Sequence, residues 1–390
     1  MEYKRNHYVP QFVLKNFSDG DDDKINMLDL INFTVEYKKI KKAFSKNNFY
    51  DLKPELSADS KKLEKLFGEK IESKMGSIIK KINESPKSFE LTREELEIVK
   101  KYILIQRYRN PINQSFYNEP HKGEKFSTYS IKEGESVTDF WKREMLFILE
   151  NDWETIIKQT ELCGVKLITN EIYSNYLSFF TTEEEFIISD INCFTERMNI
   201  DIPEGKRQEY YEMSIEIRKE YNLYDADKSG QKDEILTKAY IDNYIFVVVS
   251  PKLAIACVDP VWKYKYLHPE VNNNWMVKKI SSPTLLNNPK NIFLPVTNYI
   301  NKDKIKVDSD IEKYKDKKDT YLYNKLLLSD DETINIMILC LNEARLYISY
   351  KSSEYIKKYI LAYNKLNNGK ISNVRNNFNG YISLIDHLDK

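Results

Sequence analysis

The strongest constraint on the fold of this chain is a change of hydrophobic period near residue 160. Upstream, apolar residues recur at helical spacing, with Leu63, Leu66, Phe67, Ile71, Met75, Ile78 and Ile79 on one stripe of residues 59–83. A second helix opens at the capping box Thr92-Arg-Glu-Glu95 and stops before Pro111. Its stripe is Leu96, Val99, Ile103 and Ile105. A third is expected over about Thr138–Thr160, burying Phe140, Met145, Leu146, Leu149, Trp153 and Ile156 or Ile157. The polar residues 112–137 read as a long loop between the second and third helices.

Beyond Cys163 the pattern turns to strands, namely Val165–Ile168, Glu185–Ser189, Tyr244–Val249 and Leu253–Val258. A second capping box, Ser329-Asp-Asp-Glu332, opens a helix to about Arg345. Tyr347–Tyr350 then reads as a strand and Ser352–Tyr363 as a helix. Near the start, Ile25–Leu30 and Phe33–Tyr37 form a hairpin joined by Ile31-Asn32. Charged residues 200–235 hold a helix near Arg207–Tyr221 and read as an insertion or lid, whereas 260–320 allow no assignment. The fold class is α+β: short N-terminal strands, a central helical block and a C-terminal mixed sheet with helices. Two regions are expected, 1–160 and 161–390, with one interwoven domain as the alternative because no strong linker separates them.

Composition narrows function mainly by exclusion. Lys+Arg and Asp+Glu both number 60, so no global basic excess attracts nucleic acid or an anionic membrane. Only 10 of 390 residues are Gly, and neither Gly-x-x-x-x-Gly-Lys nor Gly-x-Gly-x-x-Gly occurs, which disfavours phosphate-cradling folds. Cys163, Cys193, Cys257 and Cys340 include no Cys-x-x-Cys pair and read as buried thiols. Asp19-Gly20-Asp21-Asp22-Asp23 imitates the start of a calcium loop. However, Lys24 stands where Gly is required and Leu30 where the closing Glu is required, so a solvated turn is expected. No signal-peptide pattern and no bilayer-length apolar run is present, and a cytoplasmic protein with no membrane partner is expected.

The densest candidate segment is His7-Tyr-Val-Pro-Gln11-Phe-Val-Leu-Lys-Asn16-Phe17. His7 can serve as a general acid or base near neutral pH, and Gln11 and Asn16 add amide groups. The competing role is an anchor, in which His7 and Asn16 cap a turn while Val9, Phe12, Leu14 and Phe17 enter the core. The run His-Tyr-Val-Pro-Gln-Phe with Asn16-Phe17 resembles the opening signature of a bacterial family numbered 4238 among domains of unknown function. Asn48-Phe49-Tyr50, the helix ending Gln106-x-x-Arg109-x-Pro111, and Ser250-Pro251 are similar to its later motifs. Ser189-Asp190 is similar to the start of its Ser-Asp-Asn-Pro motif, but Ile191-Asn192-Cys193 follows, shifting the Asn by one position. Asn342 before Ala344 and Tyr347 resembles its closing pattern. The resemblance implies a grouping and no activity.

The matched residues have their own chemistry. Gln106 and Arg109, three apart, share a helix face opposite the apolar stripe. Arg109 suits a carboxylate or phosphate, or a buried ion pair with a residue such as Asp190. Asp190, at a strand end, is either a metal ligand or general base, or a turn-former bonded to backbone. Together His7 and Asp190 (catalytic) with Gln11, Gln106, Arg109 and Asn192 (ligand-binding) form the expected pocket. The reaction expected first is metal-dependent phosphodiester hydrolysis by a nuclease, in phage defence. The cofactor is left open, a divalent metal being the candidate. Against that reading, the usual acidic partner before the His is missing, Asn6 standing directly before His7, and no second metal-binding His follows at a suitable distance. Neither His-Glu-x-x-His nor Gly-x-Ser-x-Gly occurs. Lys38-Lys39-Ile40-Lys41-Lys42 and Lys278-Lys279 are local basic runs that make nucleic acid a candidate partner, against the plainer reading of a solvated face. The alternative function is a non-catalytic binding or interaction module in which the same polar residues lock the N-terminal segment onto the helical block.

Overall fold

Tyr244–Val249 and Leu253–Val258 lack polar alternation, as strands covered on both faces do. The computed structural model describes residues 5–18, 20, 23–109, 135–158, 172, 175–208, 212, 238–258, 319–367, 384–385 and 388. It begins with β1 (Arg5–His7), the short helix α1 (Gln11–Lys15), β2 (Lys24–Asp29), β3 (Thr34–Lys39) and β4 (Ser45–Asn47). Next, α2 (Lys62–Leu66), a π-wound turn (Phe67–Glu72) and α3 (Ser73–Glu84) follow without interruption. β5 (Ser88–Thr92) leads into α4 (Arg93–Tyr108), followed by α5 (Val137–Glu150) and α6 (Trp153–Lys158). The remaining strands are β6 (Tyr176–Thr182), β7 (Ile188–Ser189), β8 (Phe194–Asp201), β9 (Lys238–Ser250), β10 (Leu253–Val258) and β11 (Thr320–Leu328). The chain ends through α7 (Asp330–Glu343), β12 (Tyr347–Tyr350) and α8 (Ser353–Asn367).

A six-stranded sheet of order β5-β11-β6-β10-β9-β8 forms the middle of the molecule, with β11–β6 its parallel pair. Alternate side chains of its strands serve two cores. Phe180, Phe246, Val248, Ala254 and Ala256 pack with α7, α8 and the N-terminal segment. Leu177, Phe179, Ile245, Val247, Ile255 and Cys257 pack with the helical block. Both faces are therefore dry, which explains the unbroken apolar runs. A four-stranded sheet, β3-β2-β12-β7, stands in the first core, and β1 pairs with β4. β5 pairs with β11 and β2 with β12, so residues before 160 and after 319 share both larger sheets.

The fold is α+β, and both capping boxes form as expected. Thr92 Oγ1 accepts the Glu95 N–H at 3.1 Å and Glu95 returns the bond at 2.7 Å; Ser329 and Glu332 repeat the arrangement at 3.3 and 2.9 Å. The hairpin of residues 25–37 is also found, as β2–β3. The expected third helix instead breaks at Asn151-Asp152, where Asn151 turns its backbone out and Asp152 Oδ1 accepts the Thr155 N–H at 2.8 Å. The expected strand Glu185–Ser189 shrinks to Ile188–Ser189, because the Phe186 N–H donates to the Pro251 carbonyl instead. β5, β6, β8 and β11 were not expected as strands. Val165–Ile168, Cys163, Lys278-Lys279, residues 110–134 and 259–318, and most of the helix over 207–221 lie outside the described residues. Among the described residues, no helix is long and apolar enough to cross a membrane.

Candidate functional site

The N-terminal signature folds back on itself. His7 closes β1 opposite Ser45, and Pro10, with φ −59°, opens α1. Val9, Val13, Leu14 and Phe17 are fully buried and fasten the segment. His7 is 5% exposed. Its Nε2–H donates to the Ile40 carbonyl at 3.0 Å, since a carbonyl can only accept. Nδ1 is then the acceptor for the Gln11 amide at 3.2 Å. Burial holds the His7 pKa below its ordinary 6.5, and the nearby Arg109 charge pushes it the same way. His7 is thus a neutral imidazole with both nitrogens engaged inside the chain.

Arg109 is 2% exposed at the C-terminal end of α4. Its partner is Glu72, at 2.5 Å, and not Asp190 as the sequence suggested. Its Nε also donates to Tyr50 Oη at 2.9 Å, and the guanidinium sits 4.3 Å from the Phe67 ring centre. Phe67 and Glu72 are the first and last residues of the π-wound turn. In an α-helix residues five apart point about 140° away from each other at 3.6 residues per turn, whereas the wider π turn brings them to one side. That geometry delivers an aromatic face and a carboxylate to the same guanidinium. Tyr50 Oη in turn donates to the His7 carbonyl at 3.2 Å, and the Tyr50 N–H reaches Asn6 Oδ1 at 3.2 Å. His7, Tyr50, Arg109 and Glu72 form one bonded group built from three of the sequence motifs plus Glu72.

Gln106 is buried beside Ile103, Leu104 and Ile105, and in the last two turns of α4 only Arg107 stays half-buried, so Gln106 and Arg109 do not form an exposed polar face. Its Nε2, together with Tyr102 Oη one turn earlier, has no hydrogen-bond partner among the described residues. Tyr102 lies near Arg109 and Glu72, and its ring meets Phe12 of α1 with centroids 5.9 Å apart.

Asp190 belongs to a different fastening. Its Oδ1 accepts the backbone N–H groups of Arg345, Leu346 and Tyr347 at 2.9, 3.1 and 3.4 Å, and so caps the entry to β12. Burial raises its pKa from 3.8 to about 7, outweighing the N–H donors that favour the carboxylate. Asn192 Nδ2 donates to the Val248 carbonyl at 2.9 Å and Asn16 Nδ2 to the next carbonyl, Val249, at 2.8 Å. Two asparagines from remote segments thereby clamp consecutive carbonyls of β9.

The six candidate residues do not meet in one bonded constellation. His7 bonds Gln11 and reaches Arg109 through Tyr50, while Asp190 and Asn192 are bonded to β12 and β9. An open groove of about 380 Å³ lies between α1 and α3, lined by Phe12, Asn16, Gly76, Ile79, Lys80, Asn83 and Glu84, and none of the six lines it. Among the described residues there is no group of three His, Cys, Asp or Glu side chains that could hold a metal ion. Glu72, Tyr50 and Tyr102 were not expected at the site. Only the Asn48-Phe49-Tyr50 motif hinted at one of them.

A family model described as a protein of unknown function (DUF4238) matches residues 5–293. The chain belongs to the DUF4238 family. The matched stretch of this DUF4238 chain contains His7, Tyr50, Arg109, Asp190 and Asn192 and stops short of β11. The backbone that Asp190 caps, at residues 345–347, thus lies beyond the match, as does the Asn342–Tyr347 pattern. No curated protein and no solved structure matches the chain.

Proposed function

We propose that this chain is a cytoplasmic, non-catalytic binding or interaction module whose motif residues are internal fasteners. One observation carries the reading: five of the polar side chains at the motif positions are bonded to distant parts of the same chain, Gln106 being the exception. His7 bonds Ile40, Asn16 and Asn192 bond β9, Asp190 caps β12, and Arg109 pairs with Glu72. Such long-range bonds to backbone carbonyls and N–H groups satisfy buried polar groups that would otherwise destabilise the interior. The test is purified protein with magnesium or manganese and single- or double-stranded DNA or RNA. No cleavage is expected. Metal-dependent cleavage that Asp190→Asn abolishes, with the far-ultraviolet spectrum unchanged, would overturn the reading.

The rival, a metal-dependent nuclease or phosphodiesterase acting in bacterial phage defence, draws on one observation. The Asp190 carboxyl, raised to about 7, sits where a general acid or base works best at neutral pH. It requires Asp190 to leave the three N–H groups of residues 345–347 when substrate binds.

A further inference from the structure

We propose that the outer edge of β3 receives an acidic, extended segment of a partner protein by strand addition. This rests on the reading of the chain as an interaction module and names the class of its partner. β3 ends the four-stranded sheet, bonded on one side to β2, and its other side carries no strand among the described residues. An open edge offers a row of backbone donors and acceptors that an added strand can use.

The hairpin also presents an apolar surface at that edge. Five large hydrophobic residues are exposed among the described residues, and three of them, Ile31, Phe33 and Tyr37, fall in this one hairpin at 58, 39 and 47%. The turn is held firmly. Asp29, itself buried, accepts the N–H groups of Ile31 and Asn32 at 2.9 Å each and the Asn32 amide at 3.0 Å. Phe33 has φ +52°, a conformation costly for a bulky side chain, and its ring still faces out.

Charge selects the partner. Residues 23–46 carry six lysines (Lys24, Lys38, Lys39, Lys41, Lys42 and Lys46) against Asp23, Asp29 and Glu36. Of those three carboxylates, Asp23 is exposed, Asp29 is buried in the turn and Glu36 is paired with Lys38 at 3.0 Å. Lysines on an edge strand also guard against self-pairing, but a guarded edge has no use for a strained, outward phenyl ring beside it. An oligonucleotide could exploit the lysines and rings, yet it has no backbone to complete a β-ladder. An acidic polypeptide uses all three features.

The experiment titrates the full chain against a fluorescent peptide of alternating Glu and Val, read by anisotropy and by amide hydrogen exchange over residues 34–39. Binding with slowed exchange is expected. Lys39→Glu with Lys41→Glu, both exposed side chains, should weaken binding about tenfold while leaving the unfolding midpoint in place. Alternate N-methylation of the peptide, which removes its ladder donors, should abolish binding. The assignment is overturned if the peptide does not bind, if the N-methylated form binds equally, or if oligothymidylate of matched charge binds as tightly. Metal-dependent nuclease activity would count against the module reading, whereas absent peptide binding counts against this edge alone.

Discussion

Replacing Arg109 by leucine should destabilise the chain by about 3–4 kcal/mol, and the structure shows where that figure comes from. Breaking a buried ion pair by removing one partner costs about 3–5 kcal/mol, because the other charge stays behind. Here the Arg109 side chain is 2% exposed but Glu72 is 24% exposed, so water recovers part of the loss and the lower end of that range applies. The guanidinium also lies 4.3 Å from the Phe67 ring, a contact contributing about 1 kcal/mol. Leucine fills part of the space, while Tyr50 Oη keeps its bond to the His7 carbonyl. Arg109→Lys should cost less, about 1–2 kcal/mol, since an ammonium cannot serve Glu72 and Tyr50 together while lying flat on Phe67. Urea unfolding supplies the assay, with midpoints compared at constant slope. A cycle with Glu72→Gln should return a coupling of about 2 kcal/mol. A cost for Arg109→Leu below about 1 kcal/mol, or a coupling indistinguishable from zero, would refute the fastening argument.

Other perturbations give independent checks. Asp190 has a raised folded pKa, so the folded chain binds the extra proton, and this group's contribution is full below about 4 and lost as pH rises through about 7. The loss is worth roughly 4 kcal/mol, and Asp190→Asn, which keeps the Oδ1 acceptor, should flatten that part of the stability–pH curve; a curve unchanged by the substitution would contradict the assignment. His7 runs the other way, because its lowered pKa makes the unfolded chain the proton binder, so its contribution holds above 6.5 and fades as pH falls below it. His7→Gln should remove that acidic arm in thermal melts across pH. Asn16→Ala strips the amide from the Val249 carbonyl and should cost about 1–2 kcal/mol in the same urea assay. Phe33→Asn replaces a bulky residue at φ +52° by one that accepts this conformation. It should raise stability by about 0.5–1 kcal/mol while weakening binding of the acidic peptide, and a gain in both would detach Phe33 from the surface.

Local chemistry was readable from the residues alone. The capping boxes at Thr92 and Ser329 and the β2–β3 hairpin depend on neighbours a few positions away, and each forms as its pattern requires. The motif positions were also legible as special, and the idea of Arg109 in a buried ion pair was right in kind. What the residues did not fix was every choice made between distant segments. β5 and β11 are strands because each supplies the other's ladder, with Thr92 opposite Thr320, across more than half the chain. Arg109 meets Glu72 because a turn of helix winds as π rather than α, and no hydrophobic period encodes that widening. Asp190 became a cap because the entry to β12 places three N–H groups against one carboxyl oxygen. A side chain's chemistry is fixed by its type, but whether it is spent inside the fold or kept for a ligand is decided by which backbone atoms tertiary packing brings within about 3 Å.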